Sequence, residues 1–288
     1  MRFIWASVAL GLMAFWGSEV LFWSAPKPDF SALDVVATVV AYVLCASLAL
    51  GVVVRAGVQG LTAAFLGGVI TGFLVEGALV GTIYDAFPLQ LVWVPVAWHG
   101  VITGGVVVGL GRVPGARAKA LVWAGLGVFG GVWALYWPLE RAMPGAVAVV
   151  AYLAGLGLLV PLGHSILDRV GEVKVAPWWA MALPALVVGA AWVWQGVASL
   201  DPLRLVLPVV LAGLVWLAFR LGDRGPLRLG APVPVWRHGV FLLAPLVTAA
   251  IAVWGGTTLG GLPTNWPVVL GTSAVGLIWL GRLVWRAR

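Results

Sequence analysis

The segment Gly72–Gly100, GFLVEGALVGTIYDAFPLQLVWVPVAWHG, decides how this chain reads. Two apolar runs are parted only by the polar break Tyr84-Asp85 and by Pro88. With the residues that adjoin it, each run is long enough for a helix of about 20 residues, the length that crosses a bilayer. Each run also holds one ionisable side chain, Glu76 in the first and His99 in the second. A charge at membrane depth is costly, so such residues face protein or a cavity and mark functional positions by default.

Outward from this segment the pattern repeats. The chain has 288 residues, 62% hydrophobic and 9% charged, against about 25% charged in an ordinary soluble domain. Such a chain cannot cover a soluble surface. The expected fold is all-α: a polytopic transmembrane bundle forming a single integral membrane domain, 1–288. Ten spans fall at about 3–23, 34–54, 58–82, 89–110, 118–138, 146–167, 177–198, 203–221, 238–258 and 265–284. The first run, MRFIWASVALGLMAFWGSEVLFW, is longer than a signal-peptide core and is followed by no A-x-A-like site, so it reads as the first span. The longest polar connections, near 169–176 and 220–237, are short.

The cations test the count. With the N-terminus inside, the inner segments hold Arg2, Arg55, Arg112, Arg117, Lys119, Arg169, Lys174, Arg220, Arg224, Arg228, Arg237, Arg282, Arg286 and Arg288. The outer ones hold only Lys27, Arg141 and Arg204. Cytoplasmic loops carry such an excess, so both termini are expected in the cytoplasm of an inner or plasma membrane. The net charge of +7 then points to anionic lipid headgroups rather than to nucleic acid. The acids run the other way. Asp168, Glu172 and Asp223 are inside; Glu19, Asp29, Asp34, Glu76, Asp85, Glu140 and Asp201 are in the outer half. Two readings stand: the asymmetry merely follows the lack of outer cations, or it forms an acidic outer vestibule.

Gly68, Gly72 and Glu76 recur at a spacing of four, as do Pro95, His99 and Thr103 on the next span. Small residues at this spacing let helices approach closely. Glu76 should therefore face protein. At 1.5 Å per residue, Glu76 and His99 should differ in depth by roughly 5 Å, within reach of a hydrogen bond or ion pair. An acid and an imidazole that perturb each other's protonation are what a proton relay needs. The candidate site is Glu76 and His99, with Glu19, Tyr84, Asp85 and Gln90 toward the outer surface. A polar pair that only holds two helices together is the competing reading. Pro95 should break hydrogen bonding early in the fourth span.

Other motifs exclude more than they suggest. No HExxH, CxxC, DxD or GxSxG occurs, and no metal or cofactor is expected. GLGVFGG (Gly125–Gly131) and GGTTLGG (Gly255–Gly261) lie within or at the end of apolar spans and are not phosphate loops. His164 and His238 read as interfacial residues at inner span ends. The lone Cys45 permits no intrachain disulfide and reads as a small hydrophobe. Of the 18 tryptophans, Trp5, Trp23, Trp137, Trp178, Trp179, Trp236, Trp266 and Trp285 read as interfacial belts; Trp93, Trp98, Trp133, Trp192, Trp216 and Trp254 read as deeper packing residues.

Ten spans divide into 1–142 and 143–288; if the halves are a repeat, five spans in each make it a 5+5 inverted one, although the second half has no counterparts of Glu76 and His99. In length, span number and topology, with Ala14-Phe15-Trp16-Gly17-Ser18 in the first span, the chain resembles the drug/metabolite transporter superfamily. The resemblance is architectural and carries no functional residue across. Three function classes remain. The first is a proton-coupled transporter with its site open toward the outer side, taking a small, amphipathic or lipid-like substrate. The second is an intramembrane lipid- or isoprenoid-modifying enzyme, with Glu76 and His99 as acid and base and Thr272 or Ser273 as a third group. The third is a non-catalytic subunit of a larger membrane complex. Membrane lipids are expected partners, and the sequence leaves a homo-oligomer or a complex open.

Overall fold

The computed structural model describes residues 1–288 with the exception of Asp29; that residue, counted above among the outer acids, lies outside the described residues. The fold is an all-α bundle. Among the described residues ten helices are long and apolar enough to cross a membrane: α1 Arg2–Trp23, α2 Ala32–Ala56, α3 Gly60–Val80, α4 Leu89–Arg112, α5 Ala116–Glu140, α6 Ala146–Val170, α7 Trp178–Ser199, α8 Pro202–Leu221, α9 Val235–Thr258 and α10 Asn265–Arg286. These lie within a few residues of the expected spans. Local chemistry sets the ends. Ser31 and Asp34 cap the start of α2 reciprocally, side chain to backbone. Gly81 ends α3 in a left-handed conformation, φ 93°, with its N–H on the Glu76 carbonyl at 2.9 Å.

The helix ends sort into two groups. At one end, Arg55 donates to the Ala176 carbonyl, Gln59 to Asp223, and Arg220 to the Ala287 carbonyl. At the other, Arg141 donates to the carbonyls of Trp23, Ala25 and Pro26, and Thr264 to that of Val132. The two longest connections meet at the first end. Strand β1, Glu172–Val173, pairs antiparallel with β2, Leu227–Arg228, in the register Glu172↔Arg228 and Val173↔Leu227. Two-residue strands are too short to show a period in sequence.

Burial is uneven. In α1, α3 and α4, 72% of the apolar window is buried; in α7 the share is 11% and in α8 22%. The first half supplies the centre and much of the second half is peripheral, so 1–142 and 143–288 are unequal in burial. Small residues make the centre dense. A Cβ on Gly72 would stand 2.6 Å from His99 Cβ and 2.7 Å from Pro95 Cα. The α3 and α4 backbones therefore touch where Glu76 and His99 are carried.

Aromatic side chains fill one end of the core. Phe22 has Trp98 at 4.9 Å, Trp133 at 5.2 Å and Trp137 at 5.7 Å. Trp133 and Trp137 both donate to the Phe22 carbonyl, at 2.6 and 2.7 Å. Trp137 is thus a buried core residue rather than a belt residue, and Trp23 stacks on it at 4.7 Å. Trp216 and Trp254, expected to be deep packing residues, are exposed on the bundle surface. Both differences come from which face of the helix points inward, which end-of-span position alone does not fix. Cys45 is buried and free.

Candidate functional site

Three central helices widen where their polar residues lie. α1 forms π-helical turns over Trp16–Val20, α3 over Leu74–Val80 and α4 over Trp93–Gly109. These turns carry Ser18 and Glu19, Glu76, and His99 with Thr103, respectively. Such turns are rare and frequent at functional sites. Pro95, expected to break hydrogen bonding early in α4, does not end the helix: it lies in the wide turns, which begin at Trp93 and continue through it to Gly109.

The polar side chains form one hydrogen-bonded chain. Glu76 Oε1 lies 3.2 Å from His99 Nε2, and Thr82 donates to the other Glu76 oxygen. His99 Nδ1 lies 3.0 Å from Ser18 Oγ, and Ser18 Oγ lies 2.8 Å from Thr103 Oγ1. Glu76 is 8% exposed and His99 1%. With Glu76 ionised and the imidazole neutral, Nε2–H donates to Glu76 and Nδ1 accepts from the Ser18 hydroxyl. A second proton on the ring reverses the far side: Nδ1–H then donates to Ser18, which donates to Thr103. Every member can swap donor for acceptor, the property a relay requires.

Glu19 belongs to a neighbouring cluster. Its carboxylate accepts from Tyr42 Oη at 3.2 Å, Trp23 Nε1 at 3.1 Å and Lys27 Nζ at 3.2 Å. Tyr42, fully buried, lies parallel to His99 with ring centroids 5.9 Å apart. Glu19 therefore reaches the chain through a stacked ring, not a hydrogen bond. The other expected site residues do not converge. Tyr84 donates to the Gly77 carbonyl at 3.0 Å and holds Arg204 over its ring at 4.8 Å. Burial pushes the Tyr84 phenol above its ordinary pKa, with the Arg204 guanidinium opposing. Asp85 is exposed. Gln90 has its Oε1 buried without a partner among the described residues. These three sit on the connection and first turn of α4, which lead away from the α1–α3–α4 contact. Thr272 turns back to its own helix, donating to the Val268 carbonyl at 2.6 Å, and Ser273 Oγ is buried without a partner among the described residues. The third polar group is Ser18, which the sequence reading missed although it adjoins Glu19.

A cavity of about 250 Å³ reaches this chain. It meets His99, Thr103 and Thr71 at one end and Arg112, Arg228 and Gly60 at the other. An opening toward the Tyr84–Pro88 side was expected. This cavity instead runs to the opposite, arginine-bearing end; at the Tyr84 side Thr82 donates to Glu76.

A second buried cluster stands beside the cavity's arginine end. Arg112 donates to His164 Nδ1 at 3.0 Å and also to Asp168. Asp168 Oδ2 lies 2.9 Å from His238 Nε2. Both histidines are buried, not interfacial; His164 stacks on Phe241 at 4.0 Å. Arg112, Asp168 and His238 come from α4, α6 and the start of α9, so no sequence spacing announces the cluster. Since a guanidinium only donates, the neutral His164 carries its proton on Nε2. Among the described residues no group of three or more His, Cys, Asp or Glu is placed to hold a metal ion. No family model matches the chain, and no curated protein or solved structure matches it.

Proposed function

We propose that this chain is a proton-coupled, transporter-like protein of the inner or plasma membrane, with both termini cytoplasmic and a small amphipathic substrate. Glu76 is the proton-holding group and His99 its exchange partner. The observation that carries this reading is the unbroken series Thr82–Glu76–His99–Ser18–Thr103, whose last member lines a cavity. A proton taken by His99 leaves through Ser18 and Thr103 without the imidazole moving. Substrate occupying the cavity at Thr103 changes the partner of that hydroxyl, and so the proton affinity of the chain; this links the two cargoes. The cation distribution supports this orientation, in which the cavity mouth faces the cytoplasm.

The test is reconstitution of the full chain in vesicles loaded with a pH-sensitive dye and offered a panel of small amphipathic acids, amines and alcohols. At least one should move protons with it. Glu76→Gln and His99→Ala should abolish that movement while each variant stays folded. If neither substitution alters proton movement and both lower only the unfolding temperature, the pair is structural.

A second reading has one specific observation behind it. Ser18, His99 and Glu76 form a hydroxyl–imidazole–carboxylate series, the constellation of acyl-transfer enzymes. Ser18, however, is not on the cavity wall, whereas His99 and Thr103 are. A nucleophile needs access to its substrate, so the relay reading takes precedence.

A further inference from the structure

The cavity has a charge character that the proton relay does not use. The ionisable side chains on its wall are His99, Arg112 and Arg228, and no carboxylate reaches it among the described residues. Glu76 and Asp168 stand behind the wall, holding His99 and Arg112, and Glu172, opposite Arg228 in the strand register, is paired with Lys174. Arg228, on β2 at the mouth, is exposed and takes part in none of the five ion pairs among the described residues. Between the two ends the wall is apolar and made of small or aliphatic groups, among them Ala46, Ala49, Leu50, Val53 and Gly67. A site with a free guanidinium at its mouth, no acid on its wall and an apolar interior favours an anion with an apolar tail.

Size narrows the class. Its volume of about 250 Å³ lies just below the roughly 300–1,000 Å³ of pockets that take drug-sized ligands, a scale that suits a small single-chain organic acid. The geometry points to a binding site for a monocarboxylate with a short apolar tail, its carboxylate at Arg228 and Arg112 and its tail along the apolar wall of Ala46, Ala49, Leu50 and Val53. This rests on the transporter reading in taking the cavity as the substrate site, and it names the substrate class.

The probes are octanoate, octan-1-ol and octylammonium, titrated into the purified full chain by calorimetry with no pH gradient. Octanoate should bind about tenfold tighter than octanol, and octylammonium should not bind. Arg228→Gln should weaken octanoate by about tenfold and leave octanol unchanged. Gly67→Leu should abolish octanoate binding. A Cβ at Gly67 meets only Val53 Cγ2, at 3.8 Å, so the leucine extends into the cavity without displacing the backbone. Equal binding of the three probes, or full octanoate binding by Gly67→Leu with an unchanged unfolding temperature, overturns the assignment. The two readings fail separately. A chain that binds octanoate but moves no protons with any amphiphile overturns the transporter reading. A chain that moves protons but shows no preference for octanoate overturns this one.

Discussion

Ser18 Oγ stands 3.0 Å from His99 Nδ1, on the opposite side of the imidazole from Glu76. The ring is therefore held at both nitrogens by different helices, α1 and α3. That placement makes Ser18 the exit of the relay and gives a first prediction. Ser18→Ala removes the link to Thr103 and leaves the Glu76–His99 contact in place. Proton movement in vesicles should fall severely, while the loss in stability stays near 1 kcal/mol, the net worth of one hydrogen bond. Unchanged proton movement in Ser18→Ala vesicles would mean that the relay runs elsewhere.

Glu76 separates charge from hydrogen bonding. Glu76→Ala strands the buried His99 Nε2–H and the half-buried Thr82 hydroxyl. It should cost about 1–3 kcal/mol for the unsatisfied groups. Glu76→Gln keeps an acceptor for one of them and should be clearly more stable than Glu76→Ala, yet equally unable to move protons. Thermal unfolding of the two variants beside the vesicle assay checks both halves. Equal unfolding temperatures would show that the carboxylate carries no structural share.

Much of the bundle was legible because membrane helices declare themselves by length, apolarity and flanking cations, and those are local properties. Glu76 and His99 were legible for the same reason: each is an isolated ionisable group in an apolar run, and the Gly68–Gly72 stripe turns one toward the other. Ser18 was not, because a hydroxyl in a helix costs little and leaves no mark against its background. The cluster of Arg112, His164, Asp168 and His238 was not legible because its members sit on three helices far apart in sequence and meet only through packing. The direction of the cavity was not legible either, because its wall is assembled from α1, α2, α3, α4, α6 and β2, which meet only through packing.

That second cluster should matter for stability first. Asp168 is the one acid between Arg112 and His238. Asp168→Ala leaves a partly buried guanidinium without its counter-charge. A fully buried broken pair costs about 3–5 kcal/mol, and access of water to Arg112 should bring this to about 2 kcal/mol. Asp168→Asn keeps a hydrogen-bond acceptor and should lose less. The difference is read from chemical unfolding in detergent. If Asp168→Ala unfolds at the parent midpoint, the cluster is not holding α4, α6 and α9 together.

The close approach of α3 and α4 gives a prediction independent of any charge. At Gly72 an added methyl meets His99 Cβ at 2.6 Å and Pro95 Cα at 2.7 Å, and neither can yield by rotating a flexible side chain. Gly72→Ala should force the helices apart at the cost of about 1–3 kcal/mol, the usual price of overpacking. The separation also lengthens the Glu76–His99 contact, so proton movement should fall although every polar group remains. Gly125→Ala is the matched control, because a methyl there meets no atom within 4 Å. It should leave proton movement at the parent level and lose no stability, since alanine favours a helix interior over glycine. A Gly72→Ala protein that keeps parent stability and parent proton movement would show that the glycine stripe does not position the dyad.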